Sequence, residues 1–139
     1  MLEEMAVQRV VSQYSQSASR ADWDTVLSLY MPDGVWEVPI FAARFEGRAA
    51  ILEGLLRFSS PMTYIVQVNS PGLIELEGDR ATSRCLINEC GKYKDRDEGL
   101  QILGAYEDTL MKTNAGWKFI CRTCIVHGMH NFPLSRIGD

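Results

Sequence analysis

The stretch Gly104–Arg122, GAYEDTLMKTNAGWKFICR, sets its own geometry. At period two, Tyr106, Asp108 and Leu110 share one face, and Glu107, Thr109 and Met111 share the other. TNAG (Thr113–Gly116) breaks the run, and Gly116 is free to take a positive φ. Trp117 to Val126 resumes as a β-rich segment. Folded about the turn, the two runs place Asp108 opposite Arg122 and Leu110 opposite Ile120, to within one residue. A carboxylate then faces a guanidinium in a long hairpin. Two readings are open, a salt bridge that sets register or a contact to a ligand, and the first is the commoner outcome.

The chain around this hairpin has 139 residues, so one domain over residues 1–139 is expected, with length enough for a sizeable core. A net charge of -4, a pI near 5.2 and the lack of a Lys/Arg run argue against nucleic acid or anionic membrane as partners. Apolar stretches are short, and Met1 opens onto Glu3 and Glu4 with no signal-type run, so a cytoplasmic protein is expected. Cys85, Cys90, Cys121 and Cys124 fall on predicted strands at odd spacings. Each pair therefore points to opposite faces, which suits buried free thiols rather than a metal or redox motif. No metal site and no cofactor are expected.

Apolar periodicity predicts a helix from Leu2 to about Arg20, carrying Met5, Val7, Val10, Val11 and Tyr14 on one side. Asp22 reads as the N-cap of a short helix, Trp23–Tyr30, which Met31-Pro32-Asp33-Gly34 stops. Val35–Pro39 reads as a strand, Phe41–Glu46 as a short second piece, and Arg48–Ser59 as a third helix released by Gly47. After Pro61 four long β runs follow: Thr63–Glu77, Arg80–Lys94, Leu100–Lys112 and Trp117 to about His127. Three helices before a four-stranded antiparallel meander is an α+β arrangement, with helices on one face of a curved sheet.

These pieces resemble, in order, the SnoaL-like family of the nuclear transport factor two-like superfamily, relatives of scytalone dehydratase, ketosteroid isomerase and polyketide cyclases. SRADWDTVLSLYMPDGVWEVP (Ser19–Pro39) is similar to its Asp-Trp helix and first strand. FEGRAAI (Phe45–Ile51) resembles its Gly-Arg-x-Ala-Ile helix start, and ELEGDRATSRC (Glu75–Cys85) its Gly-Asp-x-Ala hairpin. Gly-x-Tyr-x-Asp and Gly-Trp-Lys-Phe resemble its closing hairpin. The resemblance implies a cone-shaped α+β barrel of cystatin-like topology around a mostly apolar pocket. Members that are enzymes place a carboxylate on the first helix and histidines on the sheet, for acid/base work on cyclic ketones.

The chain departs from that pattern. Ser19 stands at the matched acidic position, Gln67 near one matched histidine, and Cys90, in CGKYKD, at another. Gln67, Asn69 and Asn88 can bond a carbonyl or hydroxyl, but amides are not bases. Three groups remain as catalytic candidates: Asp108, His127 and Glu37. Glu37 enters the pocket only if Trp36 and Val38 do not. His127 and His130, in HGMH, read as a rim histidine or an exposed tail. Tyr14 and Tyr106 lie on apolar faces, and Arg122 is expected to hold the pKa of Asp108 down. The expected ligand contacts are Tyr14, Trp36, Phe58, Tyr64, Gln67, Asn88 and Tyr106, with Trp23 and Phe45 also near the wall.

Three functions follow as expectations. The first is a lyase or isomerase using acid/base chemistry on a cyclic, largely apolar substrate. The second is a non-catalytic binding module for such a ligand. The third is an interaction protein that uses its outer sheet face, as dioxygenase β-subunit relatives do. A titratable group inside the cavity favours the first. Strands apolar on both faces predict a homodimer paired through the sheet.

Overall fold

Val7, Val11 and Tyr14 recur at helical spacing and form the buried stripe of α1 (Leu2–Ser19) in the computed structural model, which describes residues 2–135 and 137. Glu3 and Glu4 sit in its first turn, where carboxylates suit the helix dipole. Glu3 also accepts from Trp117 Nε1 at 2.9 Å and pairs with Lys112 at 3.1 Å, which ties the start of α1 to the far hairpin.

Asp22 caps α2 (Trp23–Ser28), accepting from the Thr25 amide at 3.3 Å and its hydroxyl at 2.7 Å. The helix ends earlier than its apolar spacing predicts. Tyr30 opens β1 (Tyr30–Val38) instead, opposite Phe119. Pro32 disfavours helical backbone at Met31, and the Leu29 carbonyl accepts from the Phe119 amide at 2.8 Å, so a strand pairing claims this segment. After a short 3-10 turn, β2 (Ala43–Glu46) pairs antiparallel with β1, and α3 (Arg48–Ser59) buries Ile51, Gly54 and Leu55.

The expected run Thr63–Glu77 is two strands, β3 (Met62–Asn69) and β4 (Leu73–Glu77). Pro71 between them has no N–H to continue a ladder. Both pair with β5 (Arg80–Tyr93), which leads through β6 (Glu98–Thr113) to β7 (Gly116–Pro133). Only β5-β6-β7 is a meander. The seven strands form one mixed, curved sheet in the order β2-β1-β7-β6-β5-β3, with β4 off that path on β5 and β1 parallel to β7. The helices cover its inner face, giving a cone-shaped α+β fold.

The hairpin register holds at Asp108↔Arg122, and Gly116 takes φ 97°. Leu110 meets Phe119 rather than Ile120, because a bulge at Thr109/Leu110 shifts the ladder by one. A second bulge follows Leu103, where β7 closes onto Gly104. A β carbon on Gly104 would clash with the Ile125 carbonyl, which is backbone and cannot rotate away. Gly104→Ala is therefore expected to cost at least ~1–3 kcal/mol, read as a lower thermal midpoint; an unchanged midpoint would show that the bulge yields freely.

All four cysteines are free, with Cys85 and Cys124 buried on either side of Tyr106 in the sheet register. Among the described residues no helix is long and apolar enough to cross a membrane. Nor does any group of three His, Cys, Asp or Glu stand where a metal could be held.

Candidate functional site

A cavity of about 120 Å³ lies between the inner sheet face and the helices. Alternation decides which strand residues reach it. On β1, Trp36 and Val38 point in, so Glu37 points out. Glu37 bonds Arg44 at 2.7 Å and Thr123 Oγ1 at 2.9 Å there. Five of the expected contacts, Tyr14, Trp36, Phe58, Gln67 and Tyr106, line the cavity, together with Trp23. Phe45 stands behind, stacked on Trp36 at 5.2 Å between centroids. Tyr64 and Asn88 do not line it: they lie on the outer sheet face, where Asn88 and His130 are bridged by Gln101 at 3.0 and 2.8 Å. His127 is exposed on the outward part of β7.

The polar end of the cavity is built by β3, β5, β6 and α1. Ile87 and Glu89 continue the inward face that Ala81, Ser83 and Cys85 begin on β5. Gln67 stands opposite Glu89 in the register and donates from Nε2 to Glu89 Oε1 and to the Tyr106 hydroxyl, both at 3.0 Å. Its Oε1 accepts from Ser15 at 3.0 Å, and its main-chain N–H donates to Ser19 Oγ at 2.9 Å. An ionised carboxylate only accepts, so the amide must turn its NH₂ to Glu89. With that NH₂ also filling the Tyr106 oxygen, the phenol proton has no acceptor among the described residues and is left for a ligand.

Glu89 lies outside the candidates drawn from the sequence. Burial raises its pKa above the ordinary carboxylate value, and the Gln67 hydrogen bond offsets only part of that. The available signal was the period-two run on β5, which carries a carboxylate onto the face of Cys85 and Ile87. Cys90, at the matched histidine position one residue along, faces away.

Asp108 sits behind this wall rather than in it. Its Oδ1 accepts from Arg122 Nε at 3.0 Å, and both side chains are fully buried. The guanidinium lies over Tyr106 at 3.6 Å, Tyr14 at 4.2 Å and Phe119 at 4.6 Å. These ring faces meet the Arg122 Nη groups, which have no conventional acceptor. Burial raises Asp108 from 3.8 to about 6 although Arg122 pulls it down, so desolvation outweighs the ion pair, contrary to expectation. Burial alone would lower Arg122, but Asp108 and the tyrosines raise it overall, and it stays charged. Tyr14 is pushed up to about 12 by burial, and its hydroxyl bonds that of Tyr30 at 3.0 Å.

No curated protein matches the chain. Solved structures do. A candidate scytalone dehydratase from Novosphingobium aromaticivorans superposes with a TM-score of 0.86 at 20% identity, covering 99% of this chain and 95% of that one. The hexachlorocyclohexane dehydrochlorinase LinA-type3 from Novosphingobium barchaimii gives 0.80 at 15% identity, covering 96% and 90%. An NTF2-like protein with a cystatin-like fold from Novosphingobium aromaticivorans gives 0.76 at 22%, covering 90% and 82%. At these identities the likeness is one of fold. The SnoaL-like domain matches residues 1–123, so the chain belongs to the SnoaL-like family.

Proposed function

We propose that the protein is a small-molecule lyase or isomerase that moves a proton on a cyclic, largely apolar substrate, with Glu89 as the proton carrier. One observation carries this reading: a desolvated carboxylate with a raised pKa faces an apolar cavity beside a phenol whose proton is unclaimed. Both reaction types begin alike. Glu89 takes a proton from carbon next to a carbonyl, and the C–H electrons move onto the carbonyl oxygen. Tyr106 donates to that developing oxyanion. Return of the proton to another carbon completes an isomerisation; departure of a group from the β carbon completes an elimination. The fold neighbours named as a dehydratase and a dehydrochlorinase support this class. Asp108, His127 and Glu37 lie off the cavity wall, so the proton transfer is assigned to Glu89.

The test is exchange of α-protons for deuterium on single-ring ketones in D₂O, followed by proton NMR. Catalysed exchange supports the reading, and its absence across a panel of cyclopentanone, cyclohexanone and 2-cyclohexenone overturns it. The binding-module alternative predicts no exchange at all.

The outer sheet face supports a homodimer. Tyr64, Val66 and Val68 of β3, Leu86 of β5 and Leu103 of β6 all stay exposed there, and the register sets Val68, Asn88 and Leu103 side by side. A second copy covering this stripe gives a particle of twice 15.7 kDa by light scattering at micromolar concentration. Val68→Glu with Leu86→Glu is expected to halve that mass, whereas a monomeric wild type would rule the pairing out.

A further inference from the structure

The charge balance of the cavity is one-sided. Among the described residues its wall carries no Lys, Arg or His, and Glu89 is its only carboxylate. The contrast with Asp108 is direct: that carboxylate holds a guanidinium at 3.0 Å, whereas Glu89 has one neutral amide. Ionised Glu89 has no counter-charge on the cavity wall. The surrounding wall is aromatic, with Trp23, Trp36, Phe41, Phe58 and the tyrosines.

We propose that this cavity binds small cyclic ammonium compounds, with Glu89 as their counter-ion. Two forces act together: a charge-assisted hydrogen bond from N⁺–H to the carboxylate, and attraction of the cation to the aromatic wall. An apolar cavity of ~150 Å³ takes a benzene-sized guest. At about 120 Å³ this one therefore fits a single small ring and excludes fused systems. Anions are rejected, because they would face Glu89 with no cation on the wall to meet them. The inference rests on Glu89 facing the cavity, as the proposed function does, but not on its acting as a base.

As pH rises, Glu89 is the first group of the wall to ionise, from a pKa that burial holds above the ordinary carboxylate value. Tyr14 from α1 and Cys124 from β7 titrate near 12, and Tyr106 from β6 lies well above 10. Asp108, at about 6, titrates behind Tyr106 and faces Arg122, so a Glu89 variant is needed to separate the two. Ammonium affinity rises with pH as Glu89 ionises, and affinity for a neutral ring does not.

The experiment is calorimetric titration of the full chain with cyclopentylammonium chloride, cyclopentanol and sodium cyclopentanecarboxylate, at about pH 5 and about pH 8. The expected result at the higher pH is ammonium binding about tenfold tighter than the alcohol, no carboxylate binding, and a preference that shrinks at the lower pH. Glu89→Gln should abolish the preference and retain the alcohol. Equal affinities for ammonium and alcohol at the higher pH would overturn the inference, as would a preference that survives in Glu89→Gln. The wild-type comparison stands even if that variant does not fold. α-Proton exchange without ammonium preference refutes this inference alone, and the converse refutes the catalytic reading alone.

Discussion

Glu89→Gln is expected to slow α-proton exchange on a single-ring ketone by at least about a hundredfold, the lower scale for loss of a general base. The change is nearly isosteric and leaves Gln67 a partner, so the melting temperature should hardly move. An amide cannot take a proton from carbon, and no other carboxylate lines the cavity among the described residues to stand in. The pH profile of the wild type carries a second check. A base works when ionised, and burial raises Glu89 above its ordinary 4.5, so the rate should climb with pH through an inflection above that value and then level. A rate that falls with rising pH in that range would make the protonated acid the working form. Exchange that survives Glu89→Gln, but is lost in Asp108→Asn at unchanged melting temperature, would move the chemistry to the buried pair.

Asp108→Ala is the second large effect, and it falls on stability. It leaves Arg122 fully buried with no anion, which costs about 3–5 kcal/mol. The double replacement Asp108→Leu with Arg122→Met removes both charges and should recover much of that loss, because the aromatic cage can pack on a thioether. Chemical denaturation of the wild type, Asp108→Leu, Arg122→Met and the double in a double-mutant cycle reads the coupling. Singles that are additive in the double would show that the pair is not coupled. The pair also has a pH signature. Asp108 rises from 3.8 to about 6 on folding, so the folded chain holds this proton more tightly than the unfolded one. Its contribution is therefore full below about pH 4 and is lost as pH rises through 6. Asp108→Asn should flatten the stability profile across that interval.

Local chemistry was legible where neighbours in sequence are neighbours in space. The hairpin could be read at Asp108 and Arg122 because its turn is short and its period is two. The Asp22 cap and the break at Gly47 are likewise matters of adjacent residues. Tyr30 reads as helix from its neighbours because the pairing that makes it a strand comes from Phe119, far along the chain. Ser70-Pro71-Gly72 reads as part of one strand because the residues on either side share the same β character. Glu89 escaped because a carboxylate between Asn88 and Cys90 reads as surface. Only the packing of α1 and α3 over the sheet turns its side of β5 into an interior.

The parallel pairing of β1 with β7 has a consequence for how the chain is made. On the β7 side, Tyr30 and Trp36 find their strand neighbours only at Phe119 and Arg122. A ribosome that has released β1 through β5 has thus produced two separate pieces of sheet, β2-β1 and β3 with β4 on β5, and left the seam between them open until β6 and β7 follow. Contacts so distant in sequence are slow to form, and until they do the apolar side chains of β1 are exposed to non-native association. The vulnerable interval ends when β7 slides in beside β1, so the cavity that would hold the ligand is the last part of the protein to exist.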